Sequence, residues 1–307
     1  MRLMPSGYKF GPRCFGAGLF SGSMNFNKIT IIGVGLIGSS FALALKERGF
    51  KGSITGVGRR EKYLVSAKEK GIIDLYTTVY DEGIKDADLI VLASPVGQFE
   101  QIINKIGGSI KKGTIVTDVG SVKSEIVKTI EPMMPEGVNF VGGHPIAGKE
   151  CPGFDAATPD LFKNKKFIIT PTTRTDKDTQ DRIEALWKSV GARTVIMSPE
   201  EHDMIFAAVS HLPHVVAYAL VNSITEMKDG ILDNGGKGLK DMTRIALSPT
   251  ELWRDICALN RKEILESLKI FSSSLSGMIE LIEASDWNGL EKEFVRAKEA
   301  RQSIESD

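Results

Sequence analysis

Residues 28–45, KITIIGVGLIGSSFALAL, constrain the fold of this chain more than any other segment. Residues 29–32 form a short apolar run rich in β-branched side chains, which is typical of a buried parallel strand. The run leads directly into Gly33-x-Gly35-x-x-Gly38 and then into an apolar helical pattern. The first glycine permits a tight turn, the second lets a pyrophosphate approach the backbone, and the third lets helix and strand pack closely. This order of strand, glycine motif and helix predicts a dinucleotide site at the helix N-terminus, whose free N–H groups and dipole favour an anion.

The end of the next predicted strand, residues 53–57, bears on the choice of dinucleotide. An Asp or Glu at this point would bind the 2′-hydroxyl of NAD and repel the 2′-phosphate of NADP. Here Gly58 is followed by Arg59 and Arg60, whose guanidinium groups could contact the ribose edge or a 2′-phosphate. Alternatively, both arginines are solvated residues at a helix start. NAD is therefore the expected cofactor, and NADP is physically permitted.

Strand and helix patterns alternate as far as residue 197. Further strands are predicted at 88–93, 114–117, 139–141, 166–170 and 194–197, and helices at 61–70, 99–106, 124–134 and 176–190. This alternation predicts an α/β, doubly wound (Rossmann-type) parallel sheet. Ligands of such sheets gather outside the carboxyl ends of the strands, where Ser94, Ser121 and His144 are expected. The candidate cofactor-binding residues are Gly33, Gly35, Leu36, Ile37, Gly38, Arg59, Arg60, Ser94, Pro95 and Ser121.

The pattern changes after Ser198-Pro199, because no strand candidate follows. Residues 204–227 form a long, mostly apolar stretch that Pro213 is expected to kink or break near its start. Two amphipathic helices are predicted at about 253–284 and 288–306. So much apolar helix surface predicts burial against a second copy, hence a homodimer through this all-α domain. The predicted division is a disordered leader at 1–23, a dinucleotide-binding domain at 24–198, and a helical substrate and dimerisation domain at 199–307.

Bulk composition argues against several classes of partner. Lys plus Arg and Asp plus Glu both number 39 in the 307 residues, so the balance carries no signal for nucleic acid or an anionic membrane. Three widely spaced cysteines form neither a metal pattern nor a disulfide framework, which fits a reducing cytoplasm. No apolar run is expected to reach the length that crosses a bilayer. We therefore predict a cytoplasmic protein with a small-molecule substrate and no nucleic-acid, membrane or metal partner.

The chain has only four histidines. His144 is predicted to lie in a glycine-rich loop after a strand, where a catalytic side chain would face a cleft; the alternative is a histidine that only stabilises the loop. His211 and His214, in SHLPH, lack a third metal ligand and are interpreted as core or substrate-contacting residues. His202 follows two glutamates at a helix start and is predicted to be solvated at the surface.

Two further residues carry chemistry that suits an acidic substrate. Arg244 is a candidate carboxylate clamp, because guanidinium binds carboxylates through a bidentate fork; the alternative is a surface salt bridge. Ser121 could contact ligand or simply cap a helix N-terminus. A dinucleotide, one loop histidine and an arginine indicate hydride transfer from an alcohol on an acidic substrate.

Several motifs, in the same order and together spanning residues 27–300, resemble those of the prephenate dehydrogenase family and its arogenate-using relatives. They are GVGLIGSSFALAL, ASPV, TDVGSVK, GGHPIAG, SPEEHD, SHLPH, and KDMTRIA followed by TELWRDI. The resemblance implies oxidative decarboxylation of prephenate to 4-hydroxyphenylpyruvate, with hydride passing to NAD(P)+, in tyrosine biosynthesis.

The resemblance also assigns roles to residues. His144 would act as the base toward the ring C4 hydroxyl, Ser121 would position that hydroxyl and His144, and Arg244 would grip the ring carboxylate. His214 would face the substrate or the product-like inhibitor tyrosine, and the pocket would be lined or gated by Glu150, Lys240, Asp241 and Trp253. Three alternatives remain at this point: arogenate as the substrate, another two-domain β-hydroxyacid or imine dehydrogenase, and a dinucleotide-sensing regulator without turnover.

Overall fold

The computed structural model describes residues 26–149, 153–302 and 304; the predicted leader and Glu150 lie outside these ranges. The strands are β1 (Lys28–Ile32), β2 (Ser53–Val57), β3 (Leu75–Thr77), β4 (Leu89–Leu92), β5 (Ile115–Asp118), β6 (Asn139–Pro145), β7 (Lys166–Thr170) and β8 (Arg193–Ile196). The helices are α1 (Leu36–Glu47), α2 (Glu61–Glu69), α3 (Tyr80–Ile84), α4 (Phe99–Ile106), α5 (Ser124–Ile130), α6 (Lys177–Ser189), α7 (Pro199–Phe206), α8 (Leu212–Met227), α9 (Lys237–Thr243), α10 (Thr250–Leu259), α11 (Arg261–Glu283) and α12 (Trp287–Gln302).

The eight strands form one sheet in the order β3-β2-β1-β4-β5-β6-β7-β8. Reversal of the strand order beside β1, with helices on both faces, confirms the predicted doubly wound architecture. One hydrophobic cluster covers each face of the sheet, which explains why the central strands are apolar throughout rather than alternating. The cluster that contains Phe99 and Val116 continues into Trp253, Ile256 and Ile264 of the C-terminal helices.

One pairing departs from the predicted parallel sheet: β7 runs antiparallel to β6, whereas β8 runs parallel to β7. Strand β6 is also longer than predicted, because it continues to Pro145 and pairs His144 with Ile168. The expectation that His144 lies in a glycine-rich loop is therefore wrong. Gly142 and Gly143 are strand residues, and an added Cβ would lie 2.3 Å from Thr170 Oγ1 at the first and 2.4 Å from the Phe167 ring at the second. Glycine permits close strand contact here rather than a turn.

The apolar stretch after residue 198 is one helix, Pro199–Met227, composed of α7, a π-turn at Ala207–His211, and α8. Pro213 does not break it, since the π-turn precedes the proline and accommodates its missing N–H. By length and composition this helix could cross a membrane, and only 22% of its most apolar 18-residue window is buried inside the chain. On that criterion the expectation that no apolar stretch reaches this length is wrong.

The predicted helix at 253–284 is two helices, α10 and α11, separated at Asn260. Asn260 is buried at 4% exposure, and its side-chain amide donates to the backbone carbonyl of Asp203 at 2.9 Å. Helix α10 packs against the turn that follows β4, where a Cβ at Gly97 would lie 2.4 Å from Asp255 Oδ2. The helical part of the chain thus rests on the carboxyl edge of the sheet.

Candidate active site

The turn between β1 and α1 has the geometry of a dinucleotide cradle. Gly33 has φ +108°, and a Cβ there would lie 2.5 Å from the backbone of Ala93 and Ser94, so only glycine fits. A Cβ at Gly38 would lie 2.3 Å from the Gly33 carbonyl, which shows the close packing of helix on strand. At Gly35 a Cβ would meet nothing within 4 Å. The open space lies where the motif requires a pyrophosphate to approach.

Other candidate cofactor residues surround this turn. Leu36 and Ile37 begin α1 and pack against the core. Ser94 follows β4, and its buried Oγ has no hydrogen-bond partner among the described residues, which leaves it available to a ligand. Pro95, beside it, is exposed. Arg59 and Arg60 are exposed at the start of α2, where Arg60 lies 5.6 Å from the Tyr63 ring centroid.

A buried ion pair supports the next strand edge. The Nζ of Lys123 donates to Oδ2 of Asp118, and neither side chain is exposed. The Asp118 carboxylate also accepts from the backbone N–H groups of Gly120 at 2.8 Å and Gly143 at 3.0 Å. Burial raises the pKa of Asp118 and lowers that of Lys123, while their mutual attraction opposes both shifts. The pair therefore ties the end of β5 to the strand that carries His144.

His144 is part of a hydrogen-bonded row of side chains. Its Nδ1 lies 2.8 Å from Nε2 of His202, and Nδ1 of His202 lies 2.8 Å from Oδ1 of Asp203. Asp203 also accepts from the backbone N–H groups of Lys123 and Ser124, both at 2.8 Å. The Phe206 ring packs against both imidazoles, at 5.0 and 4.5 Å between centroids.

His202 is thus the candidate site residue that sequence reasoning missed, because it is 0% exposed rather than solvated. The signal was present in the helix start. Ser198 caps α7 by accepting from the N–H of Glu201, and Pro199 follows as the first helical residue. With the start fixed there, His202 and Phe206 are four residues apart and share the inward face.

The other two histidines meet at Trp253. The His214 ring stacks on Trp253 at 3.6 Å, and the His211 ring lies 6.0 Å from it. His211 Nδ1 lies 3.1 Å from Nδ2 of Asn260. Nε2 of His211 is buried and lacks a hydrogen-bond partner of good geometry among the described residues, although the backbone of Ser121 lies near enough to favour its protonated form.

The remaining candidates lie at the helical rim. Arg244 begins the turn Arg244–Leu247, and its charge, after burial, helps to lower the pKa of His214. Lys240 and Asp241 are exposed in α9. Trp253 is 9% exposed in α10, and Ser121 is half-buried before α5. The hydrogen-bonded row of side chains that contains His144 is thus connected to the neighbourhood of Arg244 through His211, Trp253 and His214.

Burial keeps the inner histidines neutral. It lowers the pKa of His202 to about 2 and that of His211 to about 4. It also lowers the pKa of His144 well below the usual value, with further contributions from His202, Lys123 and His211. A neutral imidazole beside a dinucleotide cradle can accept a proton at neutral pH. Among the described residues, no group of three or more His, Cys, Asp or Glu side chains could hold a metal ion.

Comparison with known proteins covers nearly the whole chain. Residues 41–196 match the family described as "Prephenate dehydrogenase, nucleotide-binding domain", and residues 198–296 match "Prephenate dehydrogenase, dimerization domain". The chain is 34% identical to prephenate dehydrogenase of Bacillus subtilis, over 92% of this chain and 77% of that protein. It is 32% identical to cyclohexadienyl dehydrogenase of Zymomonas mobilis, over 92% of this chain and 97% of that protein.

Solved structures give the same result. Prephenate dehydrogenase from A. aeolicus, in complex with hydroxyphenyl propionate and NAD+, is 37% identical with a TM-score of 0.87, and the match covers 92% of this chain and 100% of that one. Arogenate dehydrogenase from Synechocystis is 29% identical with a TM-score of 0.75, and the match covers 90% of this chain and 99% of that one.

Proposed function

The chain belongs to the prephenate dehydrogenase family, and we propose that it catalyses the NAD+-dependent oxidative decarboxylation of prephenate to 4-hydroxyphenylpyruvate. The observation that carries the proposal is the position of His144. Its imidazole, with a lowered pKa, lies at the carboxyl edge of the sheet that also carries the Gly33–Gly38 turn. A base and a dinucleotide cradle at one edge are what removal of a proton and a hydride from one alcohol requires.

The described residues fit a bound dinucleotide. Space is open at Gly35, the backbone at Gly33 and Ser94 is in close contact, and Ser94 Oγ has no hydrogen-bond partner in the part of the chain that the structure describes. The candidates to hold it are therefore the residues of this turn, with Ser94 and Ser121 beside it. When bound, NAD+ would supply the hydride acceptor for C4, and the carbonyl formed there would accept the electrons of the departing carboxylate as the ring becomes aromatic.

The protein's own part in the reaction is to hold the substrate and to move one proton. His144 accepts the proton of the C4 hydroxyl, and Ser121 orients that hydroxyl. Arg244 holds the ring carboxylate through its guanidinium fork. His214, stacked on Trp253, faces the rest of the substrate. Lys240 and Asp241 line or gate the pocket; Glu150, expected to share this role, lies outside the described residues.

A direct assay tests the proposed function. Purified full-length protein is given prephenate or arogenate with NAD+ or NADP+, and the absorbance of the reduced nicotinamide is followed. We expect prephenate with NAD+ to give the highest kcat/KM. The His144→Asn protein serves as the control for background activity. A higher kcat/KM with arogenate would reassign the substrate, and no turnover of either compound would refute the proposal.

We also propose the wider context of this activity. The division into a dinucleotide-binding domain at 24–198 and a helical domain at 199–307 is supported by the last strand, β8, and by the two family matches, which meet between residues 196 and 198. A homodimer through the helical domain is supported by the description of the second match as a dimerization domain. We further propose a cytoplasmic location, since the relatives are biosynthetic dehydrogenases.

A further inference from the structure

We infer that Asp203 and His202 are positioning residues that hold His144 in one tautomer, with the proton on Nδ1 and the lone pair on Nε2. This inference rests on the proposed function only in that His144 is the base; the tautomer itself is a property of the protein without substrate. His202 was predicted from sequence to be a surface residue, and nothing in its sequence neighbourhood assigned it a role.

Asp203 sets the donor and acceptor roles along this row of hydrogen bonds. Its Oδ1 accepts from the N–H of Lys123 and its Oδ2 from the N–H of Ser124, both at 2.8 Å. Backbone N–H groups can only donate, so both oxygens act as acceptors. Burial raises the pKa of Asp203, while the two backbone hydrogen bonds and the nearby charge of Lys123 oppose that shift and favour the ionised form. Asp203 is therefore a carboxylate, and the third group that contacts it must donate.

That third group is His202, whose Nδ1 lies 2.8 Å from Oδ1 of Asp203. Nδ1 of His202 must then carry a proton. Burial holds the pKa of His202 at about 2, so the ring is neutral and has only one N–H. Its Nε2 is consequently a lone-pair acceptor, and no other neutral tautomer satisfies both of its contacts.

The same argument then applies to His144. Its Nδ1 lies 2.8 Å from Nε2 of His202, which can only accept, so Nδ1 of His144 carries the proton. A neutral imidazole has a single N–H, and Nε2 is left as the basic atom. The opposite tautomer would place two lone pairs against each other and leave the ring without a base on its other side.

The surroundings leave few other groups able to change this assignment. The charged or titratable groups that act on His144 are His202 on α7, Lys123 before α5, and His211 in the π-turn. Lys123 is paired with Asp118, and His211 is neutral because burial lowers its pKa to about 4. Phe206 packs on both rings and restricts their rotation. The row thus fixes ring orientation and proton position together, as an aspartate does for the histidine of a catalytic triad.

Nuclear magnetic resonance of the imidazole nitrogens tests the inference directly. The full-length protein is labelled with ¹⁵N-histidine, and its four histidines are assigned by single substitutions. At pH 7, without substrate, we expect His144 and His202 each to show a protonated Nδ1 and an unprotonated Nε2. A protonated Nε2 on His144 would overturn the inference. Because this experiment needs no turnover, its result is independent of whether prephenate is the substrate.

Two isosteric variants at His202 test the catalytic consequence. His202→Gln places an amide oxygen near the position of Nε2 and can still accept from His144, whereas His202→Asn places its amide near Nδ1 and cannot. For histidines that bind metals, loss of the hydrogen bond that orients the ring typically costs about 10–100-fold in activity, and we expect the same range for His144. We expect His202→Asn to lower kcat by that factor with KM nearly unchanged, and His202→Gln to retain most of the activity.

Both substitutions bury one polar amide, so a purely structural role for His202 would affect them alike. Equal kcat values for His202→Asn and His202→Gln would therefore overturn the inference. Glu201→Gln, at the adjacent exposed position of α7, is the matched control and should leave kcat unchanged. If the variants do not fold, the measurement of the tautomers on the unmodified protein still decides the question.

Discussion

A histidine can act as a base only while it is neutral, and the surroundings of His144 set the pH range in which this holds. An unperturbed histidine titrates near pH ~6.5. Burial, His202, Lys123 and His211 together move the pKa of His144 well below that value. The active, neutral form therefore persists at lower pH, and it is lost only as the pH falls through the lowered pKa.

The first prediction follows for His144. We expect kcat to be flat through pH 6.5 and to decline only at lower pH, with a single ionisation. His144→Asn keeps a hydrogen-bonding side chain but removes the base, so it should lower kcat by roughly 10²–10⁴-fold with a much smaller change in substrate affinity. Steady-state kinetics across pH measure both effects. Near-normal kcat with the same acid limb in His144→Asn would mean that the proton leaves another way, with His214 as the next candidate.

Arg244 should behave in the opposite manner. A grip on the ring carboxylate acts in the ground state and the transition state alike, so Arg244→Ala should mainly raise KM. A charged hydrogen bond worth about 1.5–3 kcal/mol corresponds to roughly a 10- to 150-fold increase. Arg244→Lys keeps the positive charge but not the bidentate fork, so its KM should lie between those of the unmodified protein and Arg244→Ala. A loss confined to kcat would place Arg244 in the chemical step instead.

At the scale of single residues, the sequence predicted which side chains carry chemistry better than it predicted what surrounds them. His144, Ser94 and Ser121 could be placed at strand ends because strand patterns are local. Ser198 and Pro199 fix the start of α7 and so put His202 on the same helix face as Phe206, but two preceding glutamates make its neighbourhood polar, so the sequence did not show that this face is buried. Its burial depends on how α7 packs against Lys123 and His144, which are 79 and 58 residues away in sequence, and no local pattern encodes that contact.

Among the elements, the β1–α1 turn is the one whose function was most directly predictable. Gly33 and Gly38 are constrained by close backbone contacts and Gly35 faces open space, so the fixed spacing of the glycines between a strand and a helix carries the geometry. Strand β6 shows what could not be predicted from the sequence alone. Gly142 and Gly143 have the composition of a turn, but they are glycines because Thr170 and Phe167 of β7 approach closely. The antiparallel direction of β7 could not be predicted either, because it depends on how the segment after Pro145 returns to the sheet.

The first prediction at the scale of elements concerns Gly35. A Cβ there meets nothing within 4 Å and its φ is −95°, so valine should fold while it occupies the space for the pyrophosphate. Gly35→Val should therefore abolish dinucleotide binding in isothermal titration calorimetry, with an unchanged circular dichroism spectrum. Gly108→Val is the matched control, because its Cβ also meets nothing and it lies in the turn that precedes β5, away from the site. Unchanged affinity in folded Gly35→Val protein would refute the cofactor assignment.

The two arginines at the start of α2 bear on the choice between NAD and NADP. If Arg59 and Arg60 contact a 2′-phosphate, the double change Arg59→Ala, Arg60→Ala should weaken NADP binding roughly 10- to 150-fold and NAD binding far less. Lys68→Ala, farther along the exposed face of the same helix, controls for the general loss of positive charge. Equal effects on both dinucleotides would return the two arginines to the role of solvated surface residues.

For the molecule as a whole, the distribution of exposed apolar side chains is uneven. Among the described residues, large apolar side chains that are well exposed before residue 198 are Tyr63, Leu75, Val79 and Ile196. Those beyond it are Met204, Val209, Met227, Leu232, Met242, Leu247, Leu265, Ile270, Phe271, Leu275, Ile279, Ile282, Trp287, Phe294, Val295 and Ile304. Helix α11 has 23 residues and buries only Ile264, and α12 buries none. Contiguous apolar surface on this scale marks an interaction site.

The occupant of that surface is predicted to be a second copy of the chain. The helix Pro199–Met227 carries His202, His211 and His214, so it must stay packed on the sheet edge for the site to exist. That requirement favours a protein partner over a bilayer for its uncovered side. We expect static light scattering to give twice the chain mass at micromolar concentration. Leu275→Glu, at a half-exposed position in the middle of α11, should shift the equilibrium toward monomer and expose surface that binds a hydrophobic dye.

The control for this last prediction is Lys269→Glu, which also introduces a carboxylate at an exposed position of α11 but replaces no apolar side chain. It should leave the dimer intact. The interface and the site share the helix Pro199–Met227, so a monomeric variant should also lose turnover, because α8 would be less firmly held near Trp253. A monomer in the unmodified protein, or co-sedimentation of the unmodified protein with lipid vesicles in place of self-association, would contradict the dimer and assign the apolar surface to another partner.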